Sequence, residues 1–190
     1  MNQGKLPLVI AISAVSGGGK TTITKLLNQK LHNSKVLFFD EYDFDGPDDI
    51  VNWVENGANH NEWNLTPLIE DLEVLITEPL DYIVLDFPFS YKHSQVSEFI
   101  DFSVFIDTPL DIALARRVIR DFRDSSTENI LFDMENYISS GRRAYLDMLN
   151  TIKPNADFIV DGTLPVNEIL NVIFDYLKKL SLKPTLVKGL

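Results

Sequence analysis

At 190 residues, with 45% hydrophobic and 24% charged side chains, the chain has the size and composition of one α/β domain with a full core. It has no cysteine, which excludes disulfides and thiolate metal sites. Its net charge of −11 argues against DNA or RNA as a partner and also repels polyphosphates at long range, so a nucleotide site here needs its own local positive charge.

Leu8, Val9, Ile10 and Ile12 form a short apolar run rich in β-branched residues, the pattern of a strand buried on both faces. No apolar run reaches membrane-spanning length, so no membrane partner is expected. This first run leads straight into the next motif without the layout of a signal peptide, and the expected location is cytoplasmic. Residues 13–16 follow, then Gly17, Gly18 and Gly19, then Lys20, Thr21 and Thr22. Ile23, Leu26, Leu27 and Leu31 then mark the apolar face of a helix. Strand, glycine-rich turn and helix start in this order make a phosphate cradle of curled backbone N–H groups and a positive dipole end. The expected nucleotide-binding residues are Ser16, Gly17, Gly18, Gly19, Lys20, Thr21 and Thr22. Lys20 reaches the β- and γ-phosphates, and the Thr21 hydroxyl ligates Mg²⁺. The pattern GxxxxGK[ST] is met at Gly19, Lys20 and Thr21, with Ala14 in place of its first glycine.

Residues 36–39 form a second strand that ends in Asp40, completing a β-α-β unit. Ligands of such sheets bind outside the carboxyl ends of the strands, which puts Asp40 on the rim of the P-loop in a catalytic or metal-linked role. Residues 41–66 hold both tryptophans, Trp53 and Trp63, with Tyr42, Phe44 and many Asn and Asp, and little periodicity beyond a helix at 48–55. They suit either a pocket for a small polar ring compound, with Tyr42 against the substrate, or an excursion pinned to the core by its aromatics. A helix over 67–77 leads to a third strand, 82–86, which has the Walker B layout of four apolar residues and an acid. Asp86 is therefore the second expected Mg²⁺ ligand. Phe87 follows it where some ATPase classes place a water-activating glutamate. In the rim loop 87–93, Phe89 is among the aromatics expected to close over substrate.

A fourth strand spans 102–107. Thr108 as N-cap, Pro109 at the first helical position and Asp111 two residues later mark the next helix start. That helix carries Arg116, Arg117, Arg120 and Arg123, four of the 17 basic residues within eight positions, with Arg116, Arg120 and Arg123 on one face. This is the local positive charge an acidic nucleotide-binding chain requires, and it suits a clamp on a transferring phosphoryl group. Residues 125–150 read as a polar stretch and a helix containing Tyr137, Arg142, Arg143 and Tyr145. A fifth strand at 156–161, a turn at 162–165 and a helix at 166–180 complete the pattern, and 181–190 reads as an unpatterned tail.

The chain resembles the uridine kinase and phosphoribulokinase group of P-loop small-molecule kinases, and is similar to nicotinamide riboside kinases. The resemblance runs from Leu8 to about Leu180 and rests on SGGGKTT at 16–22, FFDEYDF at 38–44, FIDTPLDIALARRVIRDF at 105–122 and NADFIVDG at 155–162. It implies a three-layer α/β sandwich with a five-stranded parallel sheet of order 2-3-1-4-5, in a single domain over 1–180 with a helical lid at about 120–145. It implies ATP and Mg²⁺ as cofactors and transfer of the γ-phosphoryl group to a hydroxyl of a small molecule, a nucleoside or related ribose compound. A P-loop ATPase or switch, or an ATP-binding module without catalysis, stands as the alternative. Asp40 becomes the base that takes the acceptor proton, Lys20 and the glycine amides the phosphate cradle, Arg120 and Arg123 lid arginines, and Asp86 a metal ligand where uridine kinases carry glutamate. Arg116 is expected at the nucleotide and Arg117 at the substrate, with all four arginines facing the phosphates only once the lid closes, and the segment after Arg120 displaced or mobile without ligand. For the ribose-binding role, Asp45 in Phe44-Asp45-Gly46-Pro47-Asp48 and Asn64 after Trp63 both stand where related kinases carry an aspartate.

Overall fold

The computed structural model describes residues 6–181, the side chain of Ser181 excepted. Of the tail expected at 181–190, only Ser181 is among them, as the last residue of a helix; the rest lies outside the described residues.

Five apolar runs form the strands β1 (Leu8–Ser13), β2 (Ser34–Phe38), β3 (Tyr82–Asp86), β4 (Phe102–Asp107) and β5 (Phe158–Asp161). They pair in one parallel sheet of order β2-β3-β1-β4-β5, with Leu8 opposite Tyr82 and Ile10 opposite Phe102. This is the expected order. Parallel neighbours require crossovers, which are supplied by α1 (Lys20–Lys30), α2 (Ile50–Glu55), α3 (Thr66–Thr77), α4 (Ser94–Ser97), α5 (Leu110–Asp121), α6 (Thr127–Asn136) and α7 (Arg142–Asp147), while α8 (Val166–Ser181) follows β5. Because side chains alternate along a strand, β1 serves two cores. Ile10 and Ile12 pack with Ile23 and Leu27 of α1 and Ile169, Ile173 and Leu177 of α8. Val9 and Ala11 pack on the other face with Leu68 and Leu72 of α3 and Val96 of α4. The result is three layers, with the carboxyl ends of β1, β2, β3 and β4 along one rim. Among the described residues no helix is long and apolar enough to cross a membrane.

The structure differs from expectation in four places. Asp40 does not end β2; it sits in a 3₁₀ turn, Phe39–Glu41, so strand alternation does not decide where it and Glu41 point. Thr108 does not cap α5: Pro109 holds the cap position, and the Thr108 hydroxyl donates instead to the Gly18 carbonyl at 2.9 Å. β5 begins at Phe158, because the Asp157 carboxylate is taken up by the Ser103 N–H at 2.8 Å and the Tyr91 hydroxyl at 2.5 Å. The helix expected over 125–150 is broken into α6, a π turn at Tyr137–Gly141, α7, a second π turn at Met148–Ile152 and a 3₁₀ turn at Lys153–Asn155.

The aromatics of 41–66 pack on one another and on the core beneath them. Phe39 lies tilted against Phe44 at 4.8 Å and edge-on to Phe89 at 5.3 Å, Trp53 lies edge-on to His60 at 5.2 Å, and Trp63 lies 5.6 Å from Phe89. They fill one another's space and pin the excursion to the core below it.

Candidate active site

β1 delivers the chain into a tight turn at residues 14–19. Gly17 adopts φ +78°, and a Cβ there would stand 2.0 Å from the Ala113 carbonyl oxygen, so the turn lies directly on the first turns of α5. The Gly18 N–H donates to Val15 O at 2.8 Å, and Gly18 O accepts from Thr108. Gly19, at φ +100°, caps α1 with no side chain over the helix start, which leaves the first-turn amides free to hold an anion. The loop is thus fixed from behind by α5 and by the end of β4.

In front of it opens a cavity of about 640 Å³, lined by Ala14, Val15, Ser16, Gly17, Gly19, Lys20, Thr21 and Thr22, by Phe39, Asp40 and Pro88, and by Arg116, Arg120 and Met148. Lys20 ion-pairs with Asp86, which is buried at the end of β3. Burial pulls the Lys20 ammonium down to about 8; Asp40 opposes that shift and Arg120 adds to it. Asp40 is exposed on the cavity wall. Arg116 reaches Gly162 O at 3.4 Å, and Arg120 lies across its neighbour Asp121 at 2.6 and 3.0 Å.

The structure therefore brings together Ser16, Gly17, Gly19, Lys20, Thr21, Thr22, Asp40, Arg116 and Arg120, with Gly18 in the back of the loop and Asp86 beneath Lys20. Other expected site residues lie elsewhere. Arg117 does not face the cavity as a substrate residue: it forms a two-pronged pair with Asp133 of α6 at 3.1 and 2.5 Å, which also raises its pKa. Arg123 lies past the end of α5 at Asp121, so it does not continue the face of Arg116 and Arg120. The Tyr42 hydroxyl is held by Asp71 at 2.6 Å. Phe89 is buried in the aromatic cluster. The two residues expected for the ribose role are also engaged or remote: the Asn64 side chain accepts from Thr66 N and Oγ1 at 3.2 and 2.7 Å, while Asp45 is exposed and does not line the cavity. Past Arg120, Arg143 of α7 ion-pairs with Glu55 of α2, and Lys153 donates to Asp107 at 2.6 Å.

Sequence reasoning missed Phe39, Pro88 and Met148 on the cavity wall. Met148 reaches the cavity from more than a hundred residues beyond the P-loop, which no local pattern announces.

The model of the phosphoribulokinase / uridine kinase family matches residues 53–169. The chain belongs to this family. The matched segment begins after the P-loop, so the phosphate cradle at 14–22 stands on its own geometry beside the family match. The family member described here is 26% identical over 187 residues to a uridine kinase of Latilactobacillus sakei, covering 84% of this chain and 87% of that one. It is 23% identical over 185 residues to a uridine kinase of Anoxybacillus flavithermus, covering 82% and 86%. Among solved structures it is similar to an unliganded sugar kinase from Janibacter, with a TM-score of 0.57 at 14% identity, covering 90% of this chain and 95% of that one, a likeness of fold.

Proposed function

We propose that this protein transfers the γ-phosphoryl group of ATP to a hydroxyl of a small molecule, a nucleoside or related ribose compound. What supports this is the gathering, around one cavity, of a phosphate cradle, a buried carboxylate under its lysine, two arginines and one exposed carboxylate. The names of the similar uridine kinases favour a nucleoside-like acceptor.

In this mechanism the amides of Gly17 and Gly19 and the start of α1 hold the β- and γ-phosphates, and Lys20 adds its charge once the phosphates draw it from Asp86. Thr21 and Asp86 fit Mg²⁺. Apart from the Lys20 ion pair, the buried Asp86 oxygens have no hydrogen-bond partner, and among the described residues no cluster of three or more His, Asp or Glu forms a cage. One carboxylate, one hydroxyl and substrate phosphates is the usual way a protein holds this ion. Mg²⁺ supplies charge neutralisation at the phosphoryl oxygens. Arg116 and Arg120 neutralise the moving phosphoryl group. Asp40 accepts the acceptor's hydroxyl proton as the new O–P bond forms and the bond to the β,γ-bridging oxygen breaks, releasing ADP. The lid in this assignment is the segment at about 120–145 of one domain.

ATP turnover with and without a panel of nucleosides, sugars and vitamins tests the proposal. A phosphorylated acceptor and turnover that depends on it are expected. Acceptor-independent hydrolysis would favour an ATPase, and tight ATP binding without turnover an ATP-binding module.

A further inference from the structure

The glycines that let the P-loop turn also leave one of its peptide groups without a direction of its own. The peptide between Gly18 and Gly19 swings on ψ of Gly18 and φ of Gly19, and neither residue has a side chain to resist it. The group is trans, so its C=O and N–H point opposite ways. Whichever of the two faces the cavity decides whether a phosphate meets a donor or an acceptor there. An oxygen turned forward repels the anion that the N–H would hold.

One side chain fixes the choice. Thr108, the residue after β4, is 1% exposed, and its hydroxyl donates to Gly18 O at 2.9 Å. Gly18 O is thereby drawn to the back of the loop. The Gly19 N–H then faces forward, into the cavity that Gly19 lines and Gly18 does not. The hydroxyl is confined from its far side by the turn after β5. A Cβ on Gly162 would stand 1.9 Å from Thr108 Oγ1 and 2.9 Å from Thr108 Cα. The Gly162 N–H donates to Asp107 O at 2.9 Å, which pins that turn to the same corner. Gly162 is not among the glycines of positive φ, so its missing side chain serves this close approach and not the turn. Without the hydroxyl, Gly18 O is left in a closed space with no donor. A buried acceptor in that position is costly, so the peptide turns and carries its oxygen to the water of the cavity.

We propose that Thr108 is a positioning residue of the phosphate cradle: its hydroxyl holds the Gly18–Gly19 peptide with the carbonyl backward and the Gly19 N–H toward phosphate, and Gly162 leaves that hydroxyl its room. This rests on the nucleotide site of the kinase function proposed above and names what orients one of its donors. ATP and inorganic tripolyphosphate, neither of which needs an acceptor, are titrated by calorimetry into the full-length wild type, Thr108→Val, Thr108→Ser and Gly162→Ala, each below its unfolding temperature. The Gly19 amide is followed by NMR in ¹⁵N-labelled protein. Thr108→Val keeps the shape of threonine and should weaken both ligands about 10- to 100-fold, the factor that a hydrogen bond to a charged group carries. The Gly19 amide proton should move downfield when tripolyphosphate is added to the wild type and should not move in Thr108→Val. Thr108→Ser should restore both readouts, and Gly162→Ala should lose them with the threonine still present. Should Thr108→Val not fold, Gly162→Ala against Thr108→Ser carries the same comparison. Lower stability with wild-type ligand affinity would make Thr108 a packing residue and overturn the proposal. Equal losses in Thr108→Val and Thr108→Ser, or wild-type binding in Gly162→Ala, would overturn it too. If affinity follows the hydroxyl but no acceptor is phosphorylated, the positioning role stands and the kinase function fails. If an acceptor is phosphorylated and Thr108→Val binds as the wild type does, the kinase function stands and the positioning role fails.

Discussion

Replacing Gly17 with alanine separates two costs that are usually confounded in a P-loop. Gly17, Gly19 and Gly57 all have positive φ, at +78°, +100° and +95°. An alanine at each pays the left-handed penalty of about 1–2 kcal/mol. They differ in what a methyl group would meet. At Gly19 and Gly57 nothing stands within 4 Å, whereas at Gly17 the Cβ would lie 2.0 Å from the Ala113 carbonyl oxygen and 2.9 Å from its carbon, both backbone atoms of α5. Backbone cannot rotate aside, so Gly17→Ala adds an overpacking cost of about 1–3 kcal/mol. The expected losses are then about 2–5 kcal/mol for Gly17→Ala and about 1–2 kcal/mol for Gly19→Ala and Gly57→Ala. Urea unfolding of the nucleotide-free protein reads them as midpoint shifts at constant slope, and for a chain of this size each kcal/mol lowers the melting temperature by about 2–4 °C. Equal losses at Gly17 and Gly57 would mean that the loop does not rest on α5, and that the support argued for the phosphate cradle is absent.

Asp40→Asn keeps the size of the side chain and removes its basicity; kcat should fall roughly 10²–10⁴-fold with ATP affinity near normal, and wild-type turnover would remove Asp40 as the base. Arg120→Ala should lower kcat by about 10²–10³-fold, at or below the range of an arginine finger because Asp121 shares the guanidinium, and should weaken ATP binding far less; equal losses would make it a ground-state anchor. His93 is buried between Trp63 O, 3.1 Å from Nε2, and the Val96 N–H, 3.4 Å from Nδ1, and burial lowers its pKa from the ordinary 6.5. The folded state thus holds the neutral ring while the unfolded chain takes up the proton, so stability is full above pH 6.5 and declines below it. Urea midpoints from pH 7.5 down to 5 should fall less in His93→Gln than in the wild type, and parallel curves would refute the assignment.

The fold was legible because its signals are local. β3 and β4 are apolar runs ended by acids, and both strands begin and end where the sequence placed them. Boundaries failed where a side chain took a partner from another element. Asp157 was read as strand but bonds Ser103, and Thr108 was read as a cap but bonds Gly18. The helix at 125–150 carries no Pro; its first break holds Ser139 and Ser140, which both donate back to Asn136 O at 3.2 and 3.1 Å, and ends in Gly141, a short Ser-Ser-Gly signal that the helical pattern hides.

The same division runs through the candidate site. A phosphate cradle consists of consecutive backbone amides and a helix start, so its chemistry is written within nine residues, 14–22, and the sequence displays it whole. The acceptor side has no such compactness. Tyr42, Asn64 and Phe89 have the residue types that recognise a sugar or a ring, yet each is engaged elsewhere, with Asp71, Thr66 and the aromatic cluster. What stands beside Asp40 on the cavity wall is Phe39, Pro88 and Met148, from three separated parts of the chain and chemically unremarked in any of them. Polar residue types mark a surface's chemistry only when nothing in the fold has already satisfied them. In this chain the loop 41–66 uses its polar and aromatic side chains to hold itself together. The cavity wall around Asp40 is therefore built from Phe39, Pro88 and Met148 beside the phosphate-side residues, and Tyr42, Asp45, Asn64 and Phe89 do not line it.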